Sequence, residues 1–343
     1  MKKRKTLFWL VLILVLILIL IIFILIFYYN STNNSPTGLI IKEKSSPINI
    51  EASDKEIKLF FCPRDNCTTA LNDALKSADD EIYCAFFDFD LPEIRDTLLK
   101  KGKDIDVRLV IDSDNAGFMK GDAIRYDNRS PYMHNKFCII DRKVVTTGSM
   151  NPTKSCSYRN NNNLIIIPSE KLAENYRNEF MELWNGTFGK GETTKSPEVI
   201  FNGISMKSYF CPEDKCSEKI QDEIRKAKNS IYFMTFSFTD KYIADDLIAQ
   251  KINGLDIKGV FEKSQESQYS QKSFLEDHYV DVKFDHNKAY MHHKVFIIDN
   301  ETVITGSFNP SYNADHLNDE NILIIKDKDI ASRYLEEFAI VYG

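Results

Sequence analysis

Positive charge is what this sequence is short of. Its 343 residues carry a formal charge of −6, and with Lys2, Lys3, Arg4 and Lys5 set aside, 40 basic residues face 50 acidic ones, a balance of −10. That argues against a broad basic surface for gripping a nucleic-acid backbone, though not against a local positive pocket. No row of basic and aromatic residues marks a nucleic-acid track, and no extra amphipathic helix marks a lipid-docking face. Histidine is scarce, with six in the chain. No carboxylate cluster with metal-ligand spacing accompanies them, so neither a metal nor another cofactor is called for. An Ala-x-Ala-like cleavage site is missing after the long apolar run Leu7–Phe27, which argues against a removed signal peptide.

What is present begins with that run. Its 21 residues are long enough to cross a hydrocarbon core of roughly 30 Å as a helix. The basic cluster before it places the N-terminus in the cytoplasm and the rest outside the cell or in a lumen. Residues 1–29 therefore read as a basic tip and a membrane anchor, with the membrane met through residues 7–28. Residues 30–53, rich in Ser, Asn, Pro and Lys, read as a tether. After it the chain repeats itself. "LFFCPRDNC" (Leu59–Cys67) returns as "SYFCPEDKC" (Ser208–Cys216) at an offset of 149, and later segments return at 158, so the second copy holds nine extra residues between Phe238 and His292. Each copy alternates strand-like and helix-like segments. The expected fold is α/β: two similar halves, 54–190 and 198–343, packed about a pseudo-twofold axis. Cys62/Cys67 and Cys211/Cys216 occupy matching places and suit two local disulfides, or less readily a four-thiolate zinc site. Cys84 and Cys138 lie in apolar runs and read as core residues.

"YMHNKFCIIDRKVVTTGSMNP" (Tyr132–Pro152) and "YMHHKVFIIDNETVITGSFNP" (Tyr290–Pro310) share more than apolar positions. Both keep His-x-Lys, then Asp, then Gly-Ser-x-Asn, without slippage. A structural repeat lets polar positions drift, so their retention points to chemistry. If the copies converge, His134, Lys136, Ser149 and Asn151 meet His292, Lys294, Ser307 and Asn309. Two imidazoles able to attack or carry protons, inside a positive, donor-rich cage, suit a phosphodiester. The other histidines, His278, His286, His293 and His316, lack such pairing and read as surface or local structure.

These motifs resemble the HKD motifs of the phospholipase D superfamily, and the resemblance covers residues 56–343. It implies that one histidine attacks phosphorus while the other protonates the leaving oxygen and then activates water. It also implies that Lys136, Lys294, Asn151 and Asn309 hold the phosphate, supported by Ser149 and Ser307; Asp141 and Asp299 match the motif aspartates and are assigned here to bracing the strand and turn rather than to chemistry. Twenty-eight residues beyond His292 stands Glu320, and at the same distance beyond His134 stands Asn162. In the family that position often hydrogen-bonds the opposite histidine. A carboxylate suits a nucleophile and an amide suits an acid–base group, so His134, with Glu320, is expected to attack and His292, with Asn162, to act as the acid. The compact halves resemble the endonuclease and cardiolipin hydrolase-like branch. A nuclease acting on DNA or RNA is the first expectation, and a phospholipase D-type hydrolase or phosphatidyl transferase acting on phospholipid headgroups the alternative.

Overall fold

The computed structural model describes residues 49–343. The expected anchor at 7–28 and most of the expected tether lie outside them. Among the described residues no helix is long and apolar enough to cross a membrane. Pro47–Gly343 holds both halves in a single unit.

The first half builds a seven-stranded sheet from β2 (Lys58–Cys62), β3 (Glu81–Phe86), β4 (Asp106–Asp112), β5 (Ile124–Asp127), β6 (Lys136–Ile140), β7 (Val144–Gly148) and β8 (Asn162–Ile167), in the order β2-β8-β7-β6-β3-β4-β5. The second repeats that order with β10 (Ile204–Cys211), β16 (Glu320–Lys326), β15 (Thr302–Gly306), β14 (Lys294–Ile298), β11 (Ser230–Thr235), β12 (Asp256–Phe261) and β13 (Asp281–Phe284). It adds β9 (Glu198–Phe201) and β1 (Asn49–Glu51) at one edge, for nine strands. The tether thus ends earlier than its composition suggests: Asn49–Glu51 pairs with Val199–Phe201, and Glu51 accepts the Ser169 hydroxyl and the Glu170 N–H at the start of α4 (Glu170–Trp184).

Two helices stand between the sheets, α4 and its counterpart α9 (Lys328–Tyr342). The apolar spacing that marks α4 in the sequence buries Leu172, Tyr176, Phe180 and Leu183. These join Phe137, Phe210, Met234, Val295 and Tyr334 in one core shared by both halves. The outer sheet faces have separate cores, under α1 (Cys67–Lys76) and α2 (Pro92–Lys101) in one half, and α5 (Cys216–Lys226) and α6 (Lys241–Ile252) in the other. The extra residues of the second half form α7 (Lys272–Asp277), anchored by buried Leu275.

Cys62–Cys67 and Cys211–Cys216 are disulfides. Cys84 and Cys138 are more than the core residues expected: they face each other across β3 and β6 and are bonded. Neighbouring strands bring together cysteines 54 residues apart, a pairing that their spacing cannot reveal. At the same positions the second half packs Phe233 against Phe296.

The halves differ in a buried charge. Arg64 binds Glu337 at 2.6 Å, and Glu337 also meets His293 at 3.0 Å. His293 is therefore a fully buried partner of a carboxylate, not a surface residue. The equivalent three positions hold Glu213, Glu179 and Asn135. Glu179, Glu182 and Glu213 bring carboxylate oxygens within 4.8 Å of one another, and no residue of the two motifs belongs to this group. Burial pushes Glu213 up to about 7, with Asp214 and Glu182 adding to it, and burial followed by Glu213 pushes Glu179 well above the carboxylate range. A carboxyl pKa raised by folding means that the folded state keeps a proton the unfolded chain has lost, so stability falls as pH rises from about 4.5 through 7. Thermal unfolding of Glu213→Gln should show a gain on the order of 1 kcal/mol at pH 8 that disappears by pH 5. Equal gains at both pH values would contradict a raised carboxyl pKa at Glu213.

Candidate active site

The histidines reach the site through backbone that crosses between the halves. His134 and Asn135 precede β6, so the strand begins at Lys136. The His134 N–H donates to Asp319 O at 2.9 Å, and the His292 N–H donates to Asn161 O at 2.8 Å. Met133 and Met291 form isolated bridges with Asp319 and Asn161. Arg129 reinforces one crossing by binding both Asp127 and Asp319, and Asn287 reinforces the other by donating to Asn161 at 2.6 Å. Buried carboxylates set the lead-in: Asp112 accepts the Met133 N–H at 2.9 Å and Glu262 the Met291 N–H at 2.7 Å.

Each histidine consequently sits on the residue that follows the opposite motif. His134 Nδ1 lies 2.8 Å from Glu320 Oε2, and His292 Nδ1 lies 2.9 Å from Asn162 Oδ1 and 3.1 Å from Ser149 O. The Asn162 amide nitrogen donates to Cys156 O and Asn160 O, which turns its oxygen toward the ring. Both Nδ1 atoms therefore carry hydrogen, leaving both neutral Nε2 atoms unprotonated. Ser307 donates to Glu320 at 2.6 Å, whereas Ser149 donates to Asn163.

Burial pulls His134 down to about 4, outweighing the upward pull of Glu320, and burial followed by Lys294 and Lys136 holds His292 well below its ordinary value. Burial also lowers Lys136 to about 8 and, with repulsion from Lys136, holds Lys294 well below the lysine range. Burial works against ionisation of Glu320, but His134, Lys136 and Ser307 prevail and keep it below the usual carboxylate range. The arrangement is a neutral imidazole donating to an ionised carboxylate. The lysine ammoniums donate to His134 O and His292 O. Asn151 and Asn309 each keep a buried amide oxygen without a partner.

Asp141 and Asp299 lie outside the pocket. Each carboxylate accepts the N–H groups of three successive residues, Asp79–Glu81 and Lys228–Ser230, fixing the turn that enters the neighbouring strand. The Gly of Gly-Ser-x-Asn has a steric reason: at Gly148 and Gly306 φ is +132° and +146°, and a Cβ would come within 2.3 and 2.2 Å of Asn163 O and Asn321 O. Three features escape sequence reasoning. Asn163 and Asn321 bridge the halves, Asn163 to Thr305 and Tyr334, Asn321 to Asn135. Phe87 and Phe236 make T-shaped ring contacts with His134 and His292. Tyr132 and Tyr290 flank those rings. Repetition at matching offsets was the available signal for each.

A family model described as cardiolipin synthase, PLD-like domain, matches residues 71–184 and 220–341. Phospholipase D of Rickettsia typhi is 34% identical over 143 residues, 41% of this chain and 69% of that protein. Mitochondrial cardiolipin hydrolase of Xenopus laevis is 31% identical over 148 residues, 39% of this chain and 70% of that protein. The phosphatidylserine synthase of Haemophilus influenzae shares the fold, with a TM-score of 0.64 at 13% identity over 87% of this chain and 89% of that one.

Two buried lysines and two neutral histidines await negative charge. A bound phosphodiester would raise all four pKa values. Binding of an unreactive phosphodiester analogue at pH 8 should take up protons, seen as a calorimetric enthalpy that varies with the ionisation heat of the buffer. Enthalpies independent of buffer would contradict this electrostatic picture.

Proposed function

Because the chain belongs to the phospholipase D superfamily and is a phosphodiesterase of that kind, we propose that it hydrolyses phospholipid headgroup esters through a phosphohistidine. The crossed pairs His134–Glu320 and His292–Asn162 support the chemistry. The choice of lipid over nucleic acid, the reverse of the order that the sequence suggested, rests on relatives named phospholipase D and cardiolipin hydrolase. The acidic balance of the chain agrees with it.

In this mechanism the unprotonated Nε2 of His134 attacks phosphorus. Glu320, holding Nδ1–H, stabilises the positive charge that develops on the ring. The bond to the leaving alcohol oxygen breaks, and that oxygen takes a proton from Nε2 of His292, which has gained it on binding the substrate anion. Water then attacks phosphorus and gives a proton to His292, and the P–N bond breaks with its electron pair returning to His134. An alcohol in place of water would give transfer. Lys136, Lys294, Asn151 and Asn309 hold the phosphate oxygens, so the reaction needs no metal. Residues 7–28 would anchor the enzyme at its lipid substrate, with the catalytic part extracytoplasmic or lumenal.

The test offers the full chain vesicles of phosphatidylcholine or cardiolipin and labelled DNA and RNA oligonucleotides, all with EDTA. Lipid hydrolysis that falls by about 10³-fold or more in His134→Ala is expected. Cleavage of oligonucleotide alone would overturn the lipid assignment. Glu320→Gln should lower kcat by roughly 10²- to 10⁴-fold while the far-UV spectrum and unfolding temperature stay near those of the parent. Unchanged kcat would remove Glu320 from the mechanism.

A further inference from the structure

Four aromatic rings surround the histidines in two matched pairs. Phe87 lies edge-on to His134 at 4.7 Å between ring centroids, with Lys136 Nζ 5.1 Å from its centre. Phe236 lies edge-on to His292 at 4.7 Å, with Lys294 Nζ at 4.8 Å. Each phenylalanine is half-buried and carries a tyrosine on its outer side, Tyr132 at 5.1 Å and Tyr290 at 5.8 Å. The tyrosines are 41% and 48% exposed. Each pair thus forms a wall running from a buried imidazole out to solvent.

The walls are fixed by the opposite half. The Tyr132 N–H donates to Asn318 Oδ1 at 3.1 Å, and Tyr132 O accepts the Asp319 N–H at 2.9 Å. The Tyr290 N–H donates to Asn160 Oδ1 at 3.2 Å, and Tyr290 O accepts the Asn161 N–H at 2.9 Å. An exposed ring on so constrained a backbone loses little freedom when it meets a ligand. Tyrosine, apolar along its body and polar at its tip, suits a molecule that changes from apolar to polar over a few atoms.

We propose that Phe87–Tyr132 and Phe236–Tyr290 are specificity-determining walls, each receiving one of the two organic arms that flank the phosphate of a phospholipid. The inference rests on the lipid reading above and adds which residues recognise the substrate beyond its phosphate. A diester has two arms, and the pseudo-twofold axis supplies two walls. The glycerol carbons and the first acyl atoms would lie along one, and the headgroup along the other.

The test measures phospholipid hydrolysis in mixed micelles by the full chain carrying Tyr132→Ala, Tyr290→Ala, Tyr132→Phe or Tyr290→Phe. Each alanine variant should raise KM about tenfold with kcat held within about twofold, and each phenylalanine variant, which keeps the ring and loses only the polar tip, should bring KM back to within about threefold of the parent. A merely structural role would lower kcat or the folded fraction instead, without a KM shift that the ring rescues. Parent enzyme inactive on phospholipid would overturn the proposal together with the lipid reading. Active parent enzyme with unchanged KM in both alanine variants would overturn the walls alone.

Discussion

The backbone crossing between the halves is the constraint on which the site depends. Neither motif is complete within its own half: the hydrogen that fixes the His134 tautomer is accepted by Glu320, and the one that fixes His292 is accepted by Asn162. Those contacts exist because His134 and His292 donate their N–H groups to Asp319 and Asn161, the residues just before the opposite β16 and β8. A large apolar core between the sheets, centred on Tyr176 and Tyr334, holds the crossing in register. The same tyrosines turn their hydroxyls toward Asn321 and Asn163, so packing and polar satisfaction favour one relative placement of the halves.

Symmetry brings the groups together, and its breaking gives the two histidines different partners. In the proposed mechanism, an ionised Glu320 beside His134 and a neutral Asn162 beside His292 make the first imidazole the better nucleophile and leave the second to move protons. Around them, burial has made charge costly. Both lysines and both histidines are pulled toward neutrality, and the phosphate anion is the group that reverses this. The proposed mechanism therefore couples binding to activation: in it, the substrate supplies the charge under which His292 holds its proton.

The convergence of the two motifs was legible because polar residues are kept at fixed spacing in both copies, and side chains with no packing role are otherwise free to drift. The two-half α/β plan was legible for the same reason, together with the alternation of strand-like and helix-like segments in each copy. Long-range pairings were not. Nothing local joins Cys84 to Cys138, or announces that Asn49–Glu51 will extend the second sheet. His293 was misplaced on the surface because the first copy holds no matching histidine; that it faces a buried Glu337 is a fact of tertiary packing. The contrast between Arg64–Glu337 and Glu213–Glu179 depends in the same way on which residues meet across the axis.

The central claim is that the asymmetric pairing assigns the two histidines different roles. Its most direct test is rapid mixing of the enzyme with phospholipid labelled with ³²P at the scissile phosphate, quenching in alkali to preserve phosphohistidine, and mapping the labelled peptide. The account predicts label on the peptide containing His134. Label on the peptide containing His292 would contradict it.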